Sequence, residues 1–263
     1  MEPPIPKVDA ESIDNGFGIA LGAFLGMKAV SPGRYEELAA ALVAQASDPA
    51  MLLPDFAHPT VAAGYAEQLK RYAARMADNS ITFLECMLSG APSCSPQNVH
   101  PVSRGTVRIN VTDPEGEVLV DYRAASNPVD IDIMVEDIKF FRRFATTGRL
   151  AAYEAEAVNP EPATYESDET LAEWAREEII PSVYHPIGTA AKMALKWGGV
   201  VDEELLVYGV KSLSVVDASV IPTIVGSTTS MTVYAIAEKV CSFKCHLKRI
   251  VYFVLTSISR RPT

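Results

Sequence analysis

The sequence predicts an α+β fold, in which helices and strands occupy separate stretches of the chain. Apolar residues recur at helical spacing from Arg34 to Val43 and again from Val61 to Asp78. Apolar and polar residues then alternate through 105–122, on either side of a turn sequence at 113–116, which is the pattern of a β-hairpin. With 263 residues, 48% of them hydrophobic, the chain is long enough to bury a substantial core.

A long helix is predicted to begin at Asn127 and Pro128, because Asn is a favourable N-cap and Pro suits the first helical turn. Its apolar stripe includes Ile131, Val135 and Ile138. The other predicted elements are a loop at 92–101, a helix at 169–179 capped by Ser167 or Asp168, buried strands at 205–210 and 213–216, and a helix at 230–245 whose buried face includes Ile236, Ala237 and Val240.

An incomplete G-x-G-x-x-G pattern lies near the N-terminus. Gly16 and Gly18 supply the first two glycines, but Leu21 occupies the third position and no strand pattern precedes them. In dinucleotide-binding proteins these glycines let the backbone approach the pyrophosphate, whose charge a helix N-terminus stabilises. Because this strand–turn–helix context is missing, we expect no nucleotide-phosphate site here.

Charge and cysteine content exclude several classes of protein. A net charge of −10 argues against nucleic acid binding, which depends on clustered Lys and Arg. Four cysteines do not form a disulfide scaffold in so long a chain, and Cys241, Cys245 and His246 lack the spacing and the fourth ligand of a zinc site.

The apolar runs at 17–30 and 250–258 are too short for a confident membrane span, and no signal peptide is visible. We expect a cytoplasmic protein without metal, membrane or nucleic acid partners.

The most informative stretch is 184–189, with the sequence Tyr-His-Pro-Ile-Gly-Thr. A residue before proline favours extended or turn backbone, which can aim the imidazole of His185 at a cleft. On its own, such a histidine is more commonly a surface or core residue. Further motifs follow in a fixed order: G-V-V-D at 199–202, V-Y-G-V at 207–210, V-V-D-A-S-V-I-P at 215–222 and A-I-A-E-K at 235–239.

Together these motifs resemble the C-terminal signature of the glucose–methanol–choline (GMC) oxidoreductases. Upstream, S-R-G-T-V at 103–107 and N-P-x-D at 127–130 are similar to family segments, whereas 1–100 matches only loosely. The resemblance implies an antiparallel-sheet substrate domain with flanking helices, plus the terminal strand–helix piece of an FAD domain. It divides the chain into a substrate-domain-like region at 1–182, a catalytic and FAD-domain segment at 183–247 and a tail at 248–263 outside the family pattern.

GMC enzymes pass a hydride from an alcohol carbon to N5 of FAD, and the resemblance implies roles for five residues. His185 is the base, because a neutral imidazole accepts a proton near neutral pH. Thr228 takes the position of a second catalytic residue, normally His or Asn, although a hydroxyl cannot act as a base there. Asp217, Ala218 and Thr229 are assigned to the flavin. A cap at Asp217 and a helix N-cap in the Thr228 region stay open as alternatives.

The sequence leaves three hypotheses open. The first is an FAD-dependent oxidoreductase acting on the CH–OH group of a small organic alcohol, in secondary metabolite biosynthesis by family association, with another chain supplying the FAD-binding half. The second, motivated by Thr228 and the missing phosphate-binding loop, is a truncated, FAD-free relative that is inactive or serves as a binding or scaffold module. The third is non-redox acid–base chemistry by His185 on a bound metabolite.

Overall fold

The protein is described by a computed structural model at residues 19–89 and 94–247, and its elements confirm the predicted α+β class. Helices make up most of the regular structure, and short antiparallel strands lie before and between them. The helices are α1 (Met27–Val30), α2 (Tyr35–Gln45), α3 (Pro59–Arg75), α4 (Pro128–Thr146), α5 (Asp168–Glu178) and α6 (Ser230–Leu247). The strands are β1 (Ile19–Leu25), β2 (Leu84–Ser89), β3 (Cys94–Asn98), β4 (Thr106–Arg108) and β5 (Leu119–Asp121).

Two antiparallel sheets form from these strands. One contains three strands in the order β1-β2-β3, and the other contains only β4 and β5. Strand β4 pairs with β5 with Val107 opposite Val120, so the predicted hairpin is confirmed, with shorter strands than the alternation indicated. Gly22 lies within β1 opposite Met87, in extended backbone rather than at a helix N-terminus. Gly16 and Gly18 lie outside the described residues.

The loop predicted at 92–101 is wrong at 94–98, where β3 forms. Pro96 lies opposite Cys86 on a strand that pairs with β2 alone among the described strands. An edge strand of this kind tolerates proline, whose missing N–H is not needed on the unpaired side. Proline and polar content therefore indicated a loop where the tertiary structure forms a strand.

The buried strands predicted at 205–210 and 213–216 are also wrong as regular strands. Only isolated bridges form, between Val201 and Val207 and between Leu206 and Ser214. Positive φ angles at Leu205, Gly209 and Ser212 interrupt the extended backbone at three places within this stretch. Apolar side chains of this region are nonetheless buried. Val201, Leu205 and Val220 form a small core, and Ile236 and Val240 of α6 pack against it. Ala237, predicted to be buried, is exposed on the outer face of α6.

The predicted helices are confirmed, together with their caps. Asn127 accepts a hydrogen bond from the backbone N–H of Val129, and Ser167 forms a capping box with Thr170. The apolar stripe of α4 packs on Leu171 and Ala175 of α5. The main core lies between α2, α3 and β2, and its fully buried side chains include Leu38, Leu42, Leu69, Tyr72, Phe83 and Leu84.

Within the described residues no helix is long and apolar enough to cross a membrane. Cys86 on β2 is disulfide-bonded, and Cys241 on α6 is an exposed free thiol. The side chains of Cys245 and His246 and the tail at 248–263 lie outside the described part of the chain.

Candidate active site

His185 lies in an irregular segment that crosses from α5 towards the small core. Its backbone N–H donates to Oγ of Ser182 at 3.4 Å, and its side chain is half-buried. Tyr184, directly before it, has a φ of +65°, a conformation that non-glycine residues seldom adopt. As the X-Pro pattern predicted, the imidazole is carried by a turn rather than by a helix or strand.

Backbone hydrogen bonds join the His185 segment to the segment that carries Asp217. The N–H of Ala190 donates to the carbonyl of Ser219 at 3.0 Å, and that of Lys192 donates to Val220 at 2.9 Å. Gly188 allows this approach, since its φ of +83° is strained for other residues and an added Cβ would lie 3.4 Å from the carbonyl oxygen of Ile221. Two motifs about thirty residues apart in the sequence therefore form one surface.

The side chain that contacts His185 is that of Thr229. Its Oγ1 lies 3.2 Å from Nδ1 of His185, and the residue is only 6% exposed at the start of α6. Either group can be the donor, because the direction depends on the tautomer of the ring. Thr228, predicted as the second catalytic residue, is exposed, and no hydrogen bond found in the structure joins its side chain to His185.

A buried carboxyl group that the sequence interpretation missed lies near this pair. Glu85, on β2, is 2% exposed, and its Oε1 has no hydrogen-bond partner among the described residues. Burial raises the pKa of Glu85, and the charge of His185 partly opposes that rise. The signal in the sequence is a single acidic residue within the apolar run 83–88, where a solvent-facing Glu is not expected.

The predicted flavin contacts lie on one short turn. Oδ1 of Asp217 accepts a hydrogen bond from the backbone N–H of Ser219 at 2.8 Å and another from the Ser219 hydroxyl. Asp217 thus caps the 3-10 turn Ala218–Val220, which is the cap alternative left open above. Asp217 and Ala218 are both half-buried, and a flavin role for them stays a prediction.

The family model described as GMC oxidoreductase matches residues 101–237, just over half of the chain. The chain belongs to the GMC oxidoreductase family. This finding confirms the resemblance carried by the motifs between Ser103 and Lys239.

Several known GMC proteins are similar to this chain. Dehydrogenase xptC of Emericella nidulans is 35% identical over 196 residues, which are 74% of this chain and 31% of that protein. Dehydrogenase ARMGADRAFT_1018426 of Armillaria gallica is 39% identical over 140 residues, 53% of this chain and 22% of that protein. The chain therefore spans less than a third of the curated relatives that it matches.

Solved structures of flavin-dependent oxidases and oxidoreductases are also similar to this chain. A fungal aryl-alcohol oxidase aligns with a TM-score of 0.79 at 32% identity, covering 86% of this chain and 38% of that one. An FAD-dependent oxidoreductase from Chaetomium thermophilum aligns with a TM-score of 0.81 at 27% identity, covering 88% and 39%. Nearly all of this chain thus adopts a GMC arrangement, which fits the predicted mixture of helices and antiparallel strands.

The described residues fit only one end of the flavin that the GMC family implies. The Thr229 hydroxyl contacts His185, and the charge of His185 reaches the buried carboxyl group of Glu85, which suits the polar surroundings of a redox-active ring. For the pyrophosphate, Gly22 lies in a paired strand, and no glycine-rich turn opens a helix in the described part of the chain. No cluster of three potential metal ligands occurs among the same residues.

Proposed function

We propose that this chain forms the substrate-facing part of an FAD-dependent oxidoreductase that acts on the CH–OH group of a small organic alcohol. The observation that carries the proposal is the contact between Nδ1 of His185 and the Thr229 hydroxyl within the intact H-P-x-G motif. The names of similar proteins support an alcohol substrate, since they include an aryl-alcohol oxidase, a glucose oxidase and an alcohol dehydrogenase of Pseudomonas putida.

In this proposal His185 accepts the hydroxyl proton of the alcohol. Thr229 holds Nδ1, which leaves Nε2 as the ring nitrogen that faces the substrate. Loss of the proton raises the electron density on the alcohol oxygen and so favours departure of the hydride from its carbon. FAD, when bound, supplies the hydride acceptor.

Glu85 adds a carboxyl group to the proposed site. Burial raises the pKa of this group, which favours its neutral form. A protonated carboxyl group can donate a hydrogen bond, whereas a carboxylate only accepts. We therefore propose that Glu85 donates a hydrogen bond to the substrate or to the flavin rather than acting as a second base. Thr228 is proposed to have at most a minor role, because its side chain is exposed.

The cofactor would contact the chain through the turn that carries Asp217 and Ala218, with Thr229 close by. We propose that another chain supplies the nucleotide-binding half, because the described residues offer no pyrophosphate cradle. The division of this chain into 1–182, 183–247 and 248–263, a cytoplasmic location and a role in secondary metabolite biosynthesis belong to the same proposal and rest on the family resemblance.

Flavin binding and turnover test this function separately. The purified protein is mixed with FAD and with the part of the Chaetomium thermophilum FAD-dependent oxidoreductase that this chain does not cover, passed through gel filtration and examined for flavin absorbance bands. Aryl and aliphatic alcohols are then assayed with an artificial electron acceptor. The proposal expects retained flavin, with turnover in the wild type that is lost in His185→Ala.

A second candidate function is a flavin-free member of the family that binds a metabolite or another protein. It is favoured by one specific observation: no glycine-rich turn opens a helix among the described residues. Protein that stays colourless after incubation with FAD, and that catalyses no alcohol oxidation, would support this candidate over the first.

A further inference from the structure

The segment from Pro222 to Thr229 belongs to no helix or strand, yet it places Thr229 against His185. We infer that Gln68 and His100 are positioning residues that hold this segment, so that the Thr229 hydroxyl stays within reach of Nδ1 of His185. The catalytic value of that contact rests on the function proposed above.

Gln68, on α3, holds the first residue of the segment. Its Nε2 donates to the carbonyl oxygen of Pro222 at 2.9 Å, and its Oε1 accepts from Nη2 of Arg104 at 2.9 Å. A guanidinium group has only donors, so the Arg104 contact requires the amide oxygen on that side. Arg104 therefore fixes the orientation of the Gln68 amide and directs its N–H groups towards Pro222.

His100 holds the segment two residues later. Its ring is 4% exposed and lies 5.2 Å from the ring of Tyr72 and 5.1 Å from that of Phe83, between centroids. Burial lowers the pKa of His100 to about 4, whereas a hydrogen bond with the backbone of Ile224 raises it. A contact that favours the protonated ring is made to a carbonyl oxygen. Since Nδ1 lacks a partner in the described structure, the donor is Nε2.

Two further contacts hold the segment between Pro222 and Thr229. The side chain of Thr223 hydrogen-bonds the buried phenol of Tyr72, and Gly226 is so close to Thr82 that an added Cβ would lie 3.0 Å from the threonine Cβ. Successive residues of the segment are thus held by α3 and by residues 82–100. Thr229 follows directly, so displacement of the segment would move its hydroxyl away from His185.

The test uses the purified chain without flavin or substrate. Gln68→Glu keeps an acceptor for Arg104 but removes the donor to Pro222. His100→Leu removes the donor to Ile224, and His100→Gln restores one at similar reach. The readout is the ¹⁵N chemical shift of Nδ1 of His185, assigned with His185→Ala, together with hydrogen exchange of the backbone amides at 223–229. Thr229→Val defines the Nδ1 signal of a ring without the contact.

We expect Gln68→Glu and His100→Leu to move the His185 signal towards that of Thr229→Val, and His100→Gln to return it. Exchange at 223–229 should become about tenfold faster in the first two variants, since each loses one hydrogen bond that attaches the segment. Lys70→Ala, on the exposed face of α3, should change neither measurement. Unaltered His185 signals in Gln68→Glu and His100→Leu would overturn the inference, even if both variants melted at lower temperature.

If Gln68→Glu does not fold, the His185 signals of His100→Leu and His100→Gln still test whether the segment is held in this way. Failure of the protein to bind FAD would leave these measurements unaffected, because they require neither cofactor nor turnover. The two proposals can therefore fail independently.

Discussion

The hydroxyl of Thr229 lies 3.2 Å from Nδ1 of His185, although the two residues are 44 positions apart. Replacement by valine removes this hydrogen bond and preserves the side-chain shape. A typical hydrogen bond contributes about 1 kcal/mol, so Thr229→Val should lower kcat/KM by about fivefold in flavin-loaded protein. Thr229→Ser keeps the hydroxyl and should stay close to wild type. Equal activity of the valine and serine variants would show that the contact has no catalytic role.

His185 and Thr228 should differ sharply in their importance. His185→Ala removes the proposed proton acceptor, and general bases contribute about 10² to 10⁴ in rate, so turnover should fall within that range. Thr228→Val should reduce turnover by less than about threefold, because the exposed side chain makes no contact whose loss costs more than about 0.5 kcal/mol. Alcohol-dependent reduction of an electron acceptor measures both. A larger loss in Thr228→Val than in His185→Ala would reverse the assignment of roles.

Glu85 should be replaceable by an uncharged hydrogen-bonding side chain. Burial raises the pKa of Glu85, and glutamine imitates the neutral carboxyl group in size and polarity. Glu85→Gln should therefore retain most of the turnover. Glu85→Leu should lose about tenfold or more, as expected when one buried polar partner is removed. If the glutamine variant were as impaired as the leucine variant, a neutral Glu85 would not be the active form.

Asp137, on α4, should make the stability of the protein depend on pH. It is 1% exposed, and neither carboxyl oxygen has a hydrogen-bond partner among the described residues. Burial, with a smaller effect from Glu136, raises its pKa well above the ordinary value of 3.8. Below pH 3.8 both the folded and the unfolded state are protonated, so Asp137 adds no pH dependence there.

As the pH rises above 3.8, the unfolded chain releases the Asp137 proton first, and the free energy of unfolding falls by up to about 1.4 kcal/mol per pH unit until the pKa of the folded state is reached. Asp137→Asn removes this effect. Urea denaturation should therefore show an advantage of the variant that is absent below pH 3.8 and grows towards neutral pH. A constant difference across the pH range would contradict the assignment.

Glu136 should matter more for stability than an exposed ion pair. Its buried carboxylate accepts from Oγ of Ser31 at 2.5 Å and pairs with Arg34 and Lys139, both at 3.2 Å. Glu136→Ala leaves the buried Ser31 hydroxyl without its charged acceptor, whereas Arg34 and Lys139 keep Asp168 as a partner, so the variant should lose about 2 kcal/mol of stability. Glu67→Ala, which breaks the exposed pair with Lys70, should cost about 1 kcal/mol or less. Chemical denaturation of both variants checks this difference, and equal losses would contradict it.

Local chemistry explains which elements were predicted from the sequence. Asn127 and Ser167 cap the helices that they were expected to cap, and the alternation at 105–122 forms the expected hairpin. In each case the signal lies within a few residues of the element that it specifies. The strand at 94–98 was missed because Pro96 is acceptable only at an unpaired edge, and that position depends on the remote strand β2.

The sequence by itself determined the α+β class, the main helices and the family, because periodicity, caps and ordered motifs are local properties. His185 as the central side chain of the site is a prediction from the same motifs. Only the tertiary structure brought Thr229 rather than Thr228 to His185, placed Glu85 near them and used Asp217 as a cap. Those relationships join residues that are distant in the sequence. They follow from how β2, α3 and the segment before α6 pack together, and no short-range pattern records that packing.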